Sequence, residues 1–566
     1  MKIRKAKAVE EVNSKSEKTV LGVFATCDPR VDSDSRKRAA NIVKMVADKI
    51  ASRIPELDVV YSNVLVDGEI QADIVAKSFL NRGVRILVLA PDTWAFPQLS
   101  AISLVQQFPK DTPLNITCGN SGPKPGVVFA HALNGALAQY GRLAHLNVGT
   151  WPDTGLNPVM TQETEDNLVE WAYAAKTSVS LKGKRMVVFG HDSMGMETAL
   201  AHVLATRNKY GIEITRLDMK LLSDMLTKKA YNPRELKKLR AWIDEYVGSR
   251  LDVPTEQDSE RFNQSLAMYL IVRDLIKEVN GIGGGFMSQL EWGSDLRGIP
   301  LPVADAMESL FNSSFDHNGP KKPLPFGTEA DVQGILTMLF MSELTGGNPP
   351  LFMDFRKVWE PWEAKKAADS LGVKYSEKDK WASKGFVDGD NSGSASFDWA
   401  ALPGTPVKEI MKGVSMPLAD KGYFPGMGNS VTFITPAGIE GIAGRLAYST
   451  LSNAFTLMWD EAETISMPVK LSEKVRHTSS WAWPHTYVCP KYATMDEYKH
   501  YAPANHFHMI WGLSTARLQF WMDLTGTISG NIWSARPSYI KGVDRPTPLL
   551  YLLNGGENNT KLMLNK

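Results

Sequence analysis

The sequence predicts an α/β protein with two N-terminal domains built on parallel sheets and a third domain that is mixed or β-rich. Its 566 residues exceed the size that a single hydrophobic core supports, so about three domains are expected. Five short apolar runs alternate with helical patterns over residues 19–150, which is typical of a parallel sheet covered by helices. After about residue 346, short β-like segments and loops replace that alternation. We expect domains at 1–180, 181–347 and 348–566.

The first domain should hold five strands and the helices between them. The apolar runs that predict the strands are 19–26, 57–63, 84–91, 114–119 and 146–150. The segments with apolar residues at helical spacing are 36–54, 74–80, 127–141 and 161–181. This order of elements is that of a doubly wound α/β unit.

The second domain should repeat the same alternation. Strands are predicted at 184–190 and 213–219, and the helix between them covers 196–211 and ends at Gly211. Two charged helices follow, over 233–247 and 256–279. The stretch NGIGGGF that comes next is rich in glycine and therefore permissive in its backbone conformation.

Composition narrows the function classes. A net charge of +1 gives no electrostatic reason to expect nucleic acid or an anionic membrane as a partner. No run of eighteen apolar residues predicts a membrane span, and no apolar stretch follows the N-terminal lysines as in a signal peptide. The three cysteines are far apart and odd in number, so we expect a soluble cytoplasmic protein without a disulfide framework. GIGGGF lacks the spacing of a dinucleotide fingerprint, so no nicotinamide is expected.

Two carboxylates stand in informative places. Glu329 follows Thr328 at a predicted strand–turn–helix junction, where an acid could also serve as a helix cap. Asp354 lies in the apolar strand PPLFMDFRKVW, where a charge is costly unless it is paired or metal-bound. A salt bridge to Arg356, two residues later on the same face, would explain Asp354 as well as a metal would.

YAPANHFHMIWG, residues 501–512, holds two histidines in an otherwise apolar run. On a strand His506 and His508 face one way, and a lone histidine in such a run is more often a packed core residue than a ligand. Two carboxylates and one imidazole nevertheless suit a hard divalent ion such as Mn²⁺ better than structural zinc. The tryptophans of SSWAWPHTY (479–487) and the loop DGDNSGSAS (388–396) could pack in the core or line a polyol pocket.

Several motifs together resemble the L-fucose isomerase family, which interconverts L-fucose or D-arabinose with the corresponding ketose. The motifs that carry the resemblance are LFNSSFDHNG (310–319), GTEADVQG (327–334), LFMDFRKVW (351–359), DNSGSAS (390–396), SSWAWP (479–484) and PANHFH (503–508). Weaker matches extend the resemblance towards the N-terminus, at DPRVD (28–32), LAPDTWAFP (89–97), CGNSGPKPGVVFAHAL (118–133) and KGKRMVVFGHDSMGM (182–196). The resemblance is distant and covers nearly the whole chain.

The resemblance implies a fold, a cofactor and an assembly. It implies two flavodoxin- or Rossmann-like N-terminal domains, a C-terminal domain with a β-barrel-like part, and a homohexamer. It implies Mn²⁺ or a similar cation held by Glu329, Asp354 and His506, with both carboxylates also acting as acid/base groups. His508 is then a structural neighbour of the site.

The resemblance also implies substrate contacts. These are Arg30, Trp94 (from a neighbouring subunit), Gln289, Ser392, Tyr423 and Trp481, and Asn505 is a candidate for orienting the ligand or a sugar hydroxyl. The chain departs from the family pattern at Phe24, where an arginine is expected, at Met287 in place of a glutamine, and at His191 and Asp192. These departures fall where the distal end of the sugar should lie and leave the metal residues intact.

The implied chemistry is an isomerisation through an enediolate. One of Glu329 and Asp354 should take the C2 proton while the other moves a proton between O1 and O2. Two alternatives stay open. The first is the same chemistry on an aldose with a modified or anionic C6 end, such as sulfoquinovose. The second is a sugar-binding protein that has kept the fold and lost catalysis.

Overall fold

The computed structural model describes residues 18–120, 126–152, 154–191, 195–287, 301–390, 395–450 and 453–531. The chain divides into two compact units, Met1–Ser180 and Leu181–Lys566. Among the helices of the described residues, none is both long and apolar enough to cross a membrane.

The first unit is built on a five-stranded parallel sheet. Its strands are β1 (Thr19–Phe24), β2 (Leu57–Tyr61), β3 (Val84–Leu89), β4 (Leu114–Gly119) and β5 (His145–Gly149). Its helices are α1 (Ser33–Arg53), α2 (Glu69–Asn81), α3 (Ser103–Val105, directly after a π-helical turn at Gln98–Ile102), α4 (Val127–Gln139) and α5 (Gln162–Ser180). The strand order is β2-β1-β3-β4-β5 and each pairing is parallel. The predicted alternation of strands and helices is confirmed.

Local sequence explains how this unit begins. Helix α1 starts after Asp32, whose carboxylate accepts a hydrogen bond from the backbone N–H of Ser35 at 2.8 Å. Its buried stripe includes Ile42, Val46 and Ile50, at the spacing of one helical face. Strand β1 is apolar and almost entirely buried, as a central strand of a covered parallel sheet should be.

The second unit opens with a four-stranded parallel sheet. Its strands are β6 (Arg185–Phe189), β7 (Glu213–Leu217), β8 (Gly281–Phe286) and, after the short antiparallel ribbon β9 (Phe315–Asp316) and β10 (Gly319–Pro320), β11 (Phe326–Gly327). Its helices are α6 (Val203–Tyr210), α7 (Met219–Thr227), α8 (Pro233–Tyr246), α9 (Glu256–Glu278), α10 (Asp305–Asn312) and α11 (Val332–Leu344). The order is β11-β8-β6-β7, with parallel pairing throughout.

The glycine-rich stretch NGIGGGF forms strand β8 at the centre of this sheet. A Cβ atom on Gly284 would lie 2.7 Å from the carbonyl oxygen of Val187, and one on Gly285 would lie 2.6 Å from that of Gly327. The glycines are therefore needed because neighbouring backbone approaches the strand too closely for any side chain.

The predicted helix over 196–211 is wrong in its first half. A 3₁₀ turn covers Glu197–Ala199, and α6 begins only after it. The carbonyl oxygen of Thr198 accepts a hydrogen bond from Arg445 Nη2 at 2.7 Å. A side chain far away in sequence therefore takes up a carbonyl that a regular helix would use.

The rest of the second unit is built around a closed ring of strands. The strands are β12 (Leu351–Trp359), β13 (Phe386–Asp390), β14 (Glu440–Ser449), β15 (Ala454–Thr464), β16 (His485–Pro490), β17 (His506–Ile510) and β18 (Ile528–Asn531). The helices are α12 (Pro361–Ser370), α13 (Lys380–Ser383), α14 (Val407–Lys412), α15 (Val469–Arg476), α16 (Met495–Tyr501) and α17 (Thr515–Thr525). The order is β14-β17-β12-β13-β16-β15-β18. Pairing of β14 with β15 closes the first six strands into the ring, and β18 is joined to β15 by the one parallel pairing described in this sheet. The predicted fold class is confirmed.

Helix α11 connects the parallel sheet to the ring. Nearly all of its residues are buried. Thr337 Oγ1 accepts a hydrogen bond from Leu446 N at 2.9 Å, and Gln333 Oε1 accepts one from Tyr448 N at 2.8 Å. Because these bonds join α11 to β14, the turn that precedes α11 is held beside the ring, and this turn carries Glu329.

Candidate active site

Four ionisable residues form one row across the ring. Asp354 on β12 is the register partner of His506 on β17 and of Asp390 on β13. Asp390 is in turn the register partner of His485 on β16. Directly opposed residues of antiparallel strands project to the same face of the sheet. The two histidines and two aspartates therefore share one face.

Glu329 reaches this face from a strained turn. It lies in the 3₁₀ turn Thr328–Ala330, with φ 60° at Glu329 and φ 47° at Ala330. Two successive residues other than glycine in the left-handed region are costly and persist only where the surroundings enforce them. Thr328 Oγ1 donates to the buried carboxylate of Glu308 at 2.6 Å, which anchors the turn. Glu329 Oε2 then lies 3.4 Å from Nε2 of His506.

The other ring nitrogen of His506, Nδ1, contacts a buried carboxylate. Its Nδ1 lies 2.8 Å from Asp331 Oδ2. Asp331 also accepts a hydrogen bond from Gly334 N at 2.9 Å as the cap of α11. Arg445 Nη2 donates to Asp331 Oδ1 at 2.9 Å, and Arg445 Nη1 contacts Oδ2. With Nδ1 fixed in this way, the Nε2 face of the ring is directed at Glu329.

The charges around His506 set its protonation. Burial lowers the pKa of His506, but its hydrogen bonds to Asp331 and Glu329 outweigh burial and raise it to about 9. Burial also opposes ionisation of Asp331, yet Arg445 and His506 hold the pKa of that carboxyl far below its usual range. Burial raises the pKa of Asp354 above its ordinary value, against the attraction of His506 and Arg356.

His508 is packed behind the site. It is fully buried, and the ring of Phe352 lies 4.8 Å from its own ring and 4.7 Å from that of His506. Its Nε2 lies 3.4 Å from Arg445 Nη1. Burial and the positive charge of Arg445 lower the pKa of His508 well below its ordinary value, so the ring is neutral.

A second histidine–carboxylate pair stands at the far end of the row. His485 Nδ1 lies 2.9 Å from Asp388 Oδ1, and Nε2 lies 2.8 Å from the carbonyl oxygen of Ser480. Although burial lowers the pKa of His485, hydrogen bonding to Asp388 raises it. Burial raises the pKa of Asp390, whose side chain is fully buried, to about 6.

The salt bridge proposed for Asp354 from the sequence is present. Arg356 Nη1 lies 3.4 Å from Asp354 Oδ2. The shorter contact of Arg356 is to Asp390, at 2.5 Å from its Nε. Asp354 thus has an ion pair on one side and His506 on the other, and the pair with Arg356 does not account for it alone.

The predicted substrate contacts fall into three groups. Tyr423, Trp481 and Asn505 belong to the second unit and are exposed, the first two by 65% and 51%. Arg30 and Trp94 belong to the first unit; Arg30 forms an ion pair with Asp28 at 2.6 Å, and Trp94 is 37% exposed. Gln289 and Ser392 lie outside the described residues.

The structure describes three of the four residues at which the chain departs from the family pattern. Phe24 is fully buried in β1, where its ring packs edge-on against Phe79 at 6.4 Å, so this side chain belongs to the core. Met287 is buried and His191 is exposed. Asp192 lies outside the described residues.

Sequence reasoning missed Asp331, Arg445, Asp390 and His485. A signal was present for two of them. Arg445 lies in the apolar strand segment GIAGRLAYS, and a buried arginine requires an acidic partner. Asp331 stands two residues after Glu329, at a helix start where aspartate is a preferred cap.

The residues around His506 can be compared with the needs of a divalent ion. Within the described residues, no three or more His, Cys, Asp or Glu side chains form a group with the spacing of a metal site. The donor types still fit, because Glu329, Asp354 and His506 offer two carboxylates and an imidazole, which a divalent ion such as Mn²⁺ accepts. The bond from His506 Nδ1 to Asp331 is the one that metal-binding histidines almost always make through their second ring nitrogen.

Comparison with known proteins gives two family matches. Residues 18–183 match the family model described as L-fucose isomerase, first N-terminal domain. Residues 184–346 match the model described as L-fucose isomerase, second N-terminal domain. Together the two matches cover more than half of the chain.

Full-length relatives agree with these matches. An L-fucose isomerase of Vibrio vulnificus is 24% identical over 521 residues, which are 83% of this chain and 85% of the relative. An L-fucose isomerase of Streptococcus pneumoniae is 23% identical over 517 residues, with the same coverage of both chains. One of Haemophilus influenzae is 23% identical over 525 residues, 84% of this chain and 85% of the relative. The similarity thus extends into the ring that carries Asp354 and His506.

Proposed function

The chain is a distant member of the L-fucose isomerase family, and on that premise we propose a metal-dependent aldose–ketose isomerase of the L-fucose or D-arabinose type. Membership makes the protein a sugar isomerase. The metal, the sugar and the mechanism are our proposal. The observation that best supports the proposal is the position of the His506 ring. Its Nδ1 lies 2.8 Å from Asp331, and its Nε2 lies 3.4 Å from Glu329.

Glu329, Asp354 and His506 would hold a divalent cation, for which we propose Mn²⁺. Carboxylate oxygens and an imidazole nitrogen are ligands that this class of ion accepts. When bound, the ion would polarise the substrate carbonyl and stabilise negative charge on its oxygen. Asp331 and Arg445 would keep the imidazole in the orientation that ligation requires.

The two carboxylates would transfer the protons. Isomerisation removes the proton at C2 and returns one to C1, while a second proton moves between O1 and O2. We assign the first transfer to one of Glu329 and Asp354 and the second to the other. Burial raises the pKa of Asp354, which brings this group closer to the working pH of a general acid or base.

The same proposal includes the assembly and the remaining substrate contacts. We propose a homohexamer in which Arg30 contacts the sugar and Trp94 contacts the sugar bound by a neighbouring subunit. Tyr423, Trp481 and Asn505 would contact it from the second unit, together with Gln289 and Ser392. Light scattering of the purified protein tests the assembly, with six copies of the chain as the expected result.

A panel of aldoses with Mn²⁺, read by ketose formation, tests the function. We expect turnover of L-fucose or D-arabinose that is lost with a chelator and restored by Mn²⁺. Turnover of a 6-sulfo or 6-phospho aldose alone would favour the isomerase of anionic sugars. Sugar binding without turnover, measured by calorimetry, would favour a binding protein and contradict the proposal.

A further inference from the structure

Arg356 lies beside the reactive carboxylates without being a candidate metal ligand. It follows Asp354 by two residues on β12, and its Nη1 lies 3.4 Å from Asp354 Oδ2. Its Nε donates to Asp390 Oδ1 at 2.5 Å. Asp390 is fully buried, so this bond ties the guanidinium to a rigid part of the ring.

An aromatic ring fixes the plane of the same guanidinium. The Cζ atom of Arg356 lies 4.8 Å from the ring centroid of Trp483, within the range of a cation–π contact. Trp483 is itself nearly buried, and its carbonyl oxygen accepts a hydrogen bond from Thr432 Oγ1 at 2.8 Å. A stacked and carboxylate-bound guanidinium has little freedom to rotate.

One nitrogen of the Arg356 guanidinium is left without a partner among the described residues. A guanidinium carries five N–H donors, and Asp390 and Asp354 engage only the Nε and Nη1 atoms. Among the described residues, no hydrogen-bond partner contacts Nη2. The side chain is 34% exposed, so part of it is accessible beside Asp354.

The buried end of the row keeps Asp390 in place. Asp390 Oδ2 lies 3.6 Å from His485 Nε2. His485 contacts a carboxylate through one nitrogen and the carbonyl oxygen of Ser480 through the other, and such partners require both nitrogens to donate. The resulting imidazolium faces Asp390 from the side opposite to Arg356.

We propose that Arg356 donates hydrogen bonds from Nη2 to the substrate oxygen that becomes negatively charged during isomerisation, and that Asp390 positions it. The inference rests on the proposed isomerase function. As the C2–H bond breaks, its proton passes to a carboxylate and its electron pair forms a C1=C2 double bond. The π pair of the C1=O1 carbonyl then moves to O1, which becomes the enediolate oxygen. A fixed cation at that oxygen stabilises the charge without reorganisation.

The test compares Arg356→Ala and Asp390→Asn in the Mn²⁺-loaded enzyme. Loss of a single donor to a developing oxyanion lowers kcat by about 10²–10³-fold, and we expect that loss in Arg356→Ala with little change in KM. Added guanidinium should restore part of the kcat of Arg356→Ala. Asp390→Asn should lower kcat less than Arg356→Ala does. In a protein that already carries Arg356→Ala, adding Asp390→Asn should lower kcat no further.

Arg240 offers a matched control. Its Cζ lies 5.3 Å from the ring centroid of Phe262 and its Nε lies 2.9 Å from Asp244, so it is also stacked and paired, but on α8. Arg240→Ala should keep the kcat of the wild type. Unchanged kcat in Arg356→Ala, or a loss that tracks a lower melting temperature and resists guanidinium, overturns the inference.

A binding measurement separates this inference from the proposed function. Calorimetry compares an anionic hydroxamate analogue of the enediolate with the matching neutral alditol. The wild type should prefer the anion, and Arg356→Ala should lose about tenfold in affinity for the anion only, as for one charge-assisted hydrogen bond. Equal losses for both ligands overturn the inference, even if the wild type turns over no aldose. Inactivity of the wild type on every aldose contradicts only the proposed function.

Discussion

Asp354 and His506 face each other as register partners on the adjacent antiparallel strands β12 and β17. A slip of one residue in this pairing would turn one of the two side chains to the opposite face of the sheet. The strand register of the ring therefore determines whether a carboxylate and an imidazole meet, and Glu329 joins them from a turn outside the ring.

Replacing Glu329 by Gln should remove activity and leave the fold intact. The substitution keeps the shape of the side chain and removes both a proposed ligand and a proposed proton carrier, so we expect kcat to fall by about 10²–10⁴-fold. Ketose formation measures the effect. Glu409→Gln, at an exposed ion pair with Lys412 on α14, is the control. Near-native turnover in the Glu329 variant would show that the site is assigned wrongly.

Asp331→Asn should weaken metal binding. The amide cannot hold His506 Nδ1–H and Arg445 as the carboxylate does, and loss of such a partner typically lowers metal affinity about 10–100-fold. Calorimetric titration with Mn²⁺ measures the change. Asp388→Asn removes the corresponding partner of His485 and should leave Mn²⁺ affinity as it is. Equal affinities in the wild type and the Asp331 variant would refute this role.

Gly334→Ala should disturb the group that holds His506. A Cβ atom there would lie 2.5 Å from Asp331 Oδ2, 2.7 Å from Arg445 Nη1 and 2.8 Å from His508 Nε2. Such overpacking typically costs about 1–3 kcal/mol, so both the melting temperature and the activity should fall. Gly135→Ala is the matched control, because this helical glycine has open space around it, and alanine there should stabilise by about 0.5–1 kcal/mol. If Gly334→Ala changed neither the melting temperature nor the activity, the side chains of Asp331, Arg445 and His508 would be loosely packed.

Asp460 should make the stability of the second unit depend on pH. It is fully buried on β15, and burial raises its pKa to about 7, whereas an aspartate in the unfolded chain titrates near about 4. Between these values the folded chain binds more protons than the unfolded chain, so the free energy of unfolding falls as pH rises from about 4 to about 7.

Asp460→Asn should remove that dependence. The amide stays neutral at every pH, so the variant and the wild type should be similar near pH 4, and the variant should be more stable at pH 8 by up to about 4 kcal/mol. Thermal unfolding at the two pH values measures the difference. If the melting temperatures of both proteins changed in parallel with pH, Asp460 would not be the titrating group.

The architecture was predictable from local patterns, but most of the polar framework of the site was not. Apolar runs and helical spacing locate the five strands of the first parallel sheet, and β6 and β7 of the second, because burial on two faces leaves a direct pattern in sequence. Asp354 and His506 stand out as polar residues in apolar runs, and Glu329 stands in the motif GTEADVQG. The pairing of Arg445 with Asp331 does not stand out, since it depends on how β14 meets α11.

Contacts between distant parts of the chain also explain where the local predictions failed. The segment 196–211 has helical spacing, yet Arg445 takes up the carbonyl oxygen of Thr198 and shortens the helix. NGIGGGF gives no strand pattern because its strand requires the absence of side chains. In both cases a distant part of the chain decides the local conformation, which a window of neighbouring residues cannot reveal.

The ring can close only late in the synthesis of the chain, because its paired strands are far apart in sequence. Strand β12 pairs with β17. After Asp354 has been synthesised, the ribosome must therefore add more than a hundred further residues before His506 is available to pair with it. Until then one edge of β12 is unpaired, and such edges invite association with other chains. A message truncated before the codon of His506 would therefore yield a chain without the proposed metal site and with an open edge, a form that chaperones or proteases should remove.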